Sequence, residues 1–378
     1  MGMSGPDRQK LDWIAEQVAP SFQIDGLLAG SLPYGSGHIN DTFAAYFQMN
    51  DGTVRRYIVQ KINTGIFKNP GELMENVSGV TSFLKERILQ NGGDPLRETL
   101  TVVPTREGGS YMTDAQGAAW RCYVFVEDTV TYQIVEKPED FYTVARTFGQ
   151  FQRLLADYPA HTLHETIPLF HDTPNRYRNF LHALEEDKLG RAAGVAGEIA
   201  FVKEREAFTH LLADLQRTGE LPLRVTHNDT KLNNILIDKA TGRGLCVIDL
   251  DTVMPGLALH DYGDSIRFGA STALEDEPDL DKVSMDLGLF ELFTKGFLET
   301  AGQVFTDKEI ELLPAGAKMM TLECGMRFLT DYLEGDTYFK IHREGHNLDR
   351  ARTQFKLVGD MEKKWEQMQQ IVQKYAGR

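Results

Sequence analysis

The stretch VTHNDTKLNNILID, followed closely by GRGLCVIDLD, limits the folds open to this chain more than any other part of it. Ile235–Ile237 predicts a short strand, Asp238 to Gly244 supplies turn formers around Thr241-Gly242, and Leu245–Leu250 predicts the return strand. In an antiparallel hairpin the start of the first strand lies beside the end of the second. Asn234 is therefore expected close to Asp249 although 15 positions separate them, and Asp229, in the loop just before, can face the same space.

Three oxygen-bearing side chains converge in that expectation. The Asn234 carbonyl and the Asp249 carboxylate form a hard-oxygen pair suited to Mg²⁺. Asp229 can accept the hydrogen bond of an incoming hydroxyl and set its oxygen in line with the γ-phosphorus of ATP. Lys231 can reach a transferring phosphate, or be a solvated lysine. Asp251 shares a strand face with Asp249 and either binds a second ion or holds the loop. His227 reads as architectural; Asn228 either touches substrate or caps local backbone. Asp261 and Asp264 are candidates for anchoring the loop from behind. Upstream, Gly35 and Gly37 sit in a turn whose backbone N–H groups can approach phosphate oxygens, although a plain hairpin turn would look the same.

The 378 residues exceed one typical domain. Residues 1–127 read as a β-rich lobe: a short helix from Asp7 to Val18, strands on either side of Asn50-Asp51-Gly52, a helix opened by Asn69-Pro70-Gly71-Glu72, then strands at 100–104, 109–113 and 120–126. Residues 128–378 read as mainly helical, with helices at 141–155, 197–216, 281–299, about 316–334 after a break at Pro314, and about 347–374. The fold class is α+β with two lobes. A net charge of −15 argues against a nucleic-acid surface. Three scattered cysteines give no redox pair or zinc knuckle, and neither a signal peptide nor a membrane span is evident. A cytoplasmic protein with a small-molecule partner is expected, its oligomeric state left open.

His227-Asn228-Asp229 with Asn234 matches the H-x-D-x-x-x-x-N loop of protein-kinase-like enzymes, and Asp249-Leu250-Asp251 resembles the D-x-D variant of the aminoglycoside phosphotransferase and choline kinase superfamily. PYGSGHIND, HDTPNRY, DYGDSIRFGASTALEDE and ECGMRFLTDYLEGDTYF are further similar to the N-acetylhexosamine 1-kinase family. That resemblance implies transfer from ATP, with Mg²⁺, to the anomeric hydroxyl of N-acetylglucosamine or N-acetylgalactosamine. It makes Asp229 the catalytic aspartate and places Arg327 and Tyr338 in a sugar pocket. Without it, Glu323, Arg327 and Asp331 read as an ion-pair ladder along one helical stripe.

Gln60 stands where kinases carry the ATP-binding lysine, with Lys61 on the opposite strand face unless a bulge intervenes. Glu75 is the nominal partner on the following helix. The hinge is expected at Tyr123–Glu127, placing Phe125 and Glu127 beside the nucleotide. Alternatives are another small hydroxylated acceptor (a different sugar, choline or an aminoglycoside), a noncatalytic nucleotide-binding module, or a D-x-D glycosyltransferase.

Overall fold

The computed structural model describes residues 13–35, 39–132, 135 and 137–377, so the first half of the expected Asp7–Val18 helix lies outside them, while Ile14–Val18 forms a single helical turn of π type. The chain divides into two compact units. One comprises the residues up to Val130 with Leu163–Ile167 and Leu236–Asp251; the other comprises Thr131–Thr162, Pro168–Ile235 and the residues from Thr252 onward.

The first unit is built on a five-stranded sheet in the order β1-β2-β3-β5-β4, comprising β1 (Gly26–Pro33), β2 (Asp41–Met49), β3 (Val54–Lys61), β4 (Met112–Thr113) and β5 (Ala119–Val124). Alternation assigns its faces. Phe43, Ala45, Phe47, Tyr57, Val59, Trp120 and Cys122 point into one apolar core. The intervening positions present Thr42, Gln60 and Arg121 directly opposite one another across three strands. Pairing continues unbroken from Gln60↔Arg121 to Lys61↔Trp120, so no bulge reorients Lys61. β1 occupies positions where the sequence suggests only a turn from Ser31. It is an edge strand with little burial (Leu27 is 79% exposed), so no apolar alternation announces it. The strand expected at 100–104 reduces to a single bridge, Val102↔Tyr123.

The helix Pro70–Gln90 begins as its sequence predicts, the Asn69 side chain accepting from the N–H groups of Gly71 and Glu72. A three-stranded sheet follows the order β6-β8-β9, with β6 Thr129–Val130, β8 Ile235–Asp238 and β9 Gly244–Val247. β9 is thus shorter than expected: Leu250–Thr252 forms a 3₁₀ turn, and Asp249 has a left-handed φ of 60°.

The second unit is mainly helical. Thr306 and Glu309 form a reciprocal capping box on a short helix, Asp307–Glu311. Pro314 lies in the first turn of Leu313–Glu334, where it costs no hydrogen bond, so it starts that helix rather than interrupting an earlier one. The expected 197–216 and 347–374 helices are each divided, into Ala196–Lys203 with Glu206–Arg217, and His346–Lys363 with Trp365–Tyr375. The 281–299 helix begins only at Leu287, capped by Asp286. No helix among the described residues is long and apolar enough to cross a membrane.

Leu313–Glu334 packs on Ala258–Gly269 by backbone contact at Gly263 and Gly316. A Cβ on Gly263 would lie 2.3 Å from the Gly316 carbonyl oxygen, and one on Gly316 would lie 2.6 Å from the Leu259 carbonyl oxygen. Gly263→Ala is therefore expected to lose about 2 kcal/mol through overpacking, read as a Tm several degrees lower. An unchanged Tm would mean that the helices separate freely and do not fix what they carry.

Candidate functional site

The loop from His227 to Asn234 leaves β7 (Arg224–Thr226), the partner of β10 (Met254–Gly256). Asp261, on the Ala258–Gly269 helix, holds it. One Asp261 oxygen accepts from the N–H of Asn228 at 2.8 Å; the other accepts from the N–H of His227 at 2.9 Å and from Gln152 at 2.8 Å. The Asp261 carbonyl also receives the Thr230 hydroxyl at 2.6 Å. Burial pushes the Asp261 carboxyl upward, opposed by His227 and the two backbone N–H groups. Thr252 donates to the His227 carbonyl at 2.6 Å, and Asn228 Nδ2 donates to the Thr252 carbonyl at 2.8 Å. Asn228 thus spends its amide on the backbone, at a φ of 63° that non-glycine residues rarely adopt. His227 is buried edge-on to Phe148 and Phe151, and its Nδ1 accepts from the N–H of Asp229 at 3.3 Å. Its visible contacts are architectural.

This frame presents Asp229, Lys231 and Asn234 together. Lys231 Nζ lies 2.7 Å from Asp229 Oδ1. Asn234 Nδ2 donates to the Asp229 carbonyl at 2.8 Å and to Oδ2 at 3.1 Å. Both partners only accept, so the Asn234 amide must turn its NH₂ towards them, leaving its carbonyl oxygen as the free face. Burial works against the Lys231 charge, but Asp229 and then Asp264 outweigh it and hold the ammonium above the ordinary lysine range. Asp264 is itself paired with Arg267 at 2.9 Å.

A cleft of about 190 Å³ opens in the same unit, lined in part by Arg176, Arg327, Asp331 and Tyr338. The expected ladder along the helix does not form. Glu323 turns inward to His171, at 2.8 Å, and to the Thr173 hydroxyl, at 2.5 Å. Asp331 accepts from the N–H groups of Thr337, Tyr338 and Phe339, fixing the segment that carries Tyr338. Arg327, between them, has the rings of Phe170, Tyr338 and Phe339 around its guanidinium at 5.5 to 5.9 Å. Among the described residues no hydrogen bond or ion pair engages its five donors. His171 connects this region to the loop, its Nε2 lying 3.4 Å from the Asn228 carbonyl.

In the first unit the side chains of the Thr42–Gln60–Arg121 row are joined: Gln60 Nε2 donates to Thr42 Oγ1 at 2.9 Å, and Arg121 Nε donates to Gln60 Oε1 at 3.0 Å. Arg121, 1% exposed, pairs with Asp251 Oδ1 at 2.5 Å, and Asn40 donates to Asp251 Oδ2 at 2.7 Å. Asp251 is thus held by two side chains of its own unit. Glu75 does not meet Gln60; it pairs with His164 at 2.7 Å, and its neighbour Met74 faces the Arg121 guanidinium instead. Arg121 was not foreseen, although an arginine inside the apolar run AAWRCYVFV is the signal that marks it. Phe125 lies between the Tyr34 ring, at 5.4 Å, and the Arg56 guanidinium, at 3.8 Å; Glu127 is bound by Arg56. Gly35 has a φ of 81°, and Gly37 lies outside the described residues.

The donor chemistry fits Mg²⁺ bound mainly through a nucleotide. Among the described residues no hydrogen bond engages the Asn234 carbonyl oxygen, and Asp249 carries a carboxylate. Among the described residues no three His, Cys, Asp or Glu side chains gather into a protein-only metal cage. Mg²⁺ favours such sparse oxygen sets, completed by phosphates and water.

Residues 32–292 match the sequence pattern of the phosphotransferase enzyme family. Among solved structures the chain is similar to an aminoglycoside phosphotransferase from Alicyclobacillus acidocaldarius, at 12% identity and a TM-score of 0.60 over 99% of this chain and 98% of that one. It is similar to a microcompartment-associated aminopropanol kinase, at 17% identity and a TM-score of 0.56 over 93% and 96%. A choline kinase from Cryptosporidium parvum matches at 14% identity, with a TM-score of 0.53 over 92% of each chain. At such identities the likeness is one of fold. The β-rich and helical units together form the α+β, protein-kinase-like architecture that the sequence led us to expect.

Glu323 makes this site sensitive to acid. Burial opposes its charge, but His171, Arg327 and the Thr173 hydroxyl overcome that and hold its carboxyl at about 2. A folded pKa below the unfolded value of about 4.3 means stability that is present above pH ~4 and lost as pH falls towards ~2, roughly 3 kcal/mol in all. Glu323→Gln should remove that part of the pH dependence, seen by chemical denaturation at pH 6 and pH 2.5. Parallel pH profiles for both proteins would refute the assignment.

Proposed function

We propose, from the premise that this chain belongs to the phosphotransferase enzyme family and is a kinase-type phosphotransferase, that it moves the γ-phosphate of Mg²⁺-bound ATP onto a hydroxyl of a small, neutral, polyhydroxylated acceptor. The specific acceptor proposed is the anomeric C1 hydroxyl of an N-acetylhexosamine, N-acetylglucosamine or N-acetylgalactosamine. The observation that carries the reading is the Asp229 carboxylate, held from both sides by Lys231 and Asn234 on a loop clamped by Asp261.

In this reading Asn234, through its free carbonyl oxygen, and Asp249 hold the magnesium. Support comes from the chain path: Asn234 directly precedes β8 and Asp249 closely follows β9, and these strands are neighbours. Bound Mg²⁺ supplies charge neutralisation at the phosphate oxygens. Asp229 accepts the hydrogen bond of the acceptor hydroxyl and orients its oxygen; Lys231 exchanges its contact with Asp229 for the transferring phosphate. Positioning and charge stabilisation supply most of the acceleration, and proton removal follows bond formation. Gly35 and Gln60 face the phosphates, while Phe125 and the backbone near Glu127 face the base. Asn228 shapes the acceptor side of the loop by its backbone.

The balanced charge of the cleft suits a neutral acceptor. Arg176 and Arg327 line it together with Asp331 and Glu334. Burial, and then the neighbouring Arg327 charge, hold the Arg176 guanidinium below its usual range. The fork of Arg327, which no hydrogen bond or ion pair engages among the described residues, suits sugar or acetamide oxygens. Tyr338, 69% exposed, offers a ring and a hydroxyl at the rim.

Asp229→Asn should leave the Tm unchanged and reduce turnover by about 10²-fold or more; near-normal turnover removes Asp229 from this role. Turnover across N-acetylglucosamine, N-acetylgalactosamine, galactose, choline and an aminoglycoside, with phosphorus–proton NMR of the product, tests the acceptor. We expect a C1 phosphate on the N-acetylhexosamines and a raised acceptor KM, with unchanged ATP KM, in Arg327→Ala. Turnover of the cationic acceptors alone would contradict the reading.

A further inference from the structure

The row Thr42–Gln60–Arg121 ends on Asp251, two residues from Asp249. Every link in it is a hydrogen bond or a close ion pair within one unit. Arg121 is buried with its guanidinium divided between a neutral acceptor, Gln60, and an anion, Asp251. Asp251 in turn receives Asn40, whose own carbonyl accepts from the N–H of Asn63 at 3.0 Å, so the anchor spans three separate segments of the chain. A lysine at position 60 could not accept from Arg121 and would set a second cation against it. Gln60 is thus the residue that Arg121 requires at the facing position.

We propose that Arg121 is a positioning residue for the metal–nucleotide site: its fork, spanning Gln60 and Asp251, fixes the turn that presents Asp249. This rests on the reading of Asp249 as a magnesium ligand. Two observations point to that turn as what the anchor holds. Asp249 stands at a φ of 60°, a conformation an aspartate keeps only when its surroundings impose it. Asp251 is the middle residue of the 3₁₀ turn Leu250–Thr252 that follows Asp249, and both of its carboxylate oxygens are engaged. The arrangement also sets the local charge. Arg121 acts electrostatically on both Asp249 and Asp251, so one cation faces two carboxylates and the remaining negative charge favours a divalent ion. A conventional lysine added at position 60 would cancel it.

The test is binding of Mn²⁺ with a non-hydrolysable ATP analogue to the full chain, read by EPR of the free ion, with nucleotide affinity measured separately without metal. Arg121→Met should weaken Mn²⁺ binding by about 10- to 100-fold, the range for outer-shell partners of a metal site, with metal-free nucleotide affinity nearly unchanged. Arg121→Lys keeps the charge but cannot span Gln60 and Asp251, and should lose about tenfold. Gln60→Lys should also weaken the ion rather than strengthen it. Unchanged Mn²⁺ affinity in Arg121→Met overturns the proposal; if that variant does not fold, unchanged affinity in Arg121→Lys overturns it equally. Equal loss of metal and nucleotide in a folded variant also overturns it, because it would show general collapse. A wild-type chain that binds no Mn²⁺ with nucleotide would overturn the kinase reading itself, before any substitution is made.

Discussion

A buried carboxylate gripping a strained backbone turn is the constraint on which the functional loop depends. Asp261 takes the N–H groups of two consecutive residues, His227 and Asn228, the second at positive φ. Without an acceptor placed there, those donors would be buried unsatisfied and the turn would relax towards an ordinary conformation. The helix that carries Asp261 is in turn fixed by the close contact of Gly263 with Gly316. Helix packing, loop anchoring and the orientation of Asp229 therefore form one chain of dependence, from core to surface.

Charge is distributed by the same logic. Acidic side chains that might have formed surface ladders are spent inside: Glu323 on His171 and Thr173, Asp331 on three backbone N–H groups, Asp251 on Arg121 and Asn40. Among the described residues, the Arg327 fork and the Asn234 carbonyl keep unused hydrogen-bonding capacity beside the functional loop and the cleft. Polar groups with unused capacity that face a cleft or loop are where a ligand adds the most.

Much of this was legible in the sequence. Asn69-Pro70, the Thr306–Glu309 capping box and the 235–247 hairpin carry local signals, caps and turn residues whose energetics act within a few positions. The spacing of Asp229 and Asn234 on one short loop was legible for the same reason, and their side chains meet. Three things were not legible. β1 is exposed on an edge, so its burial pattern has no period to read. The breaks at 204–205 and at Lys364 interrupt helices without glycine or proline, and only tertiary packing decides them. Arg121 depends on sheet register and on a partner 130 positions away, information that no local pattern holds.

The central claim is that an amide on one side of the hairpin and a carboxylate on the other take the same ion, with Asp229 facing the acceptor oxygen. A crystal structure with magnesium, a non-hydrolysable ATP analogue and an N-acetylhexosamine tests it directly. The account predicts one Mg²⁺ about 2.1 Å from both Asn234 Oδ1 and an Asp249 oxygen, and Asp229 within hydrogen-bond reach of the sugar hydroxyl nearest the γ-phosphate. An ion that touches neither residue, or a sugar bound away from Asp229, would contradict it.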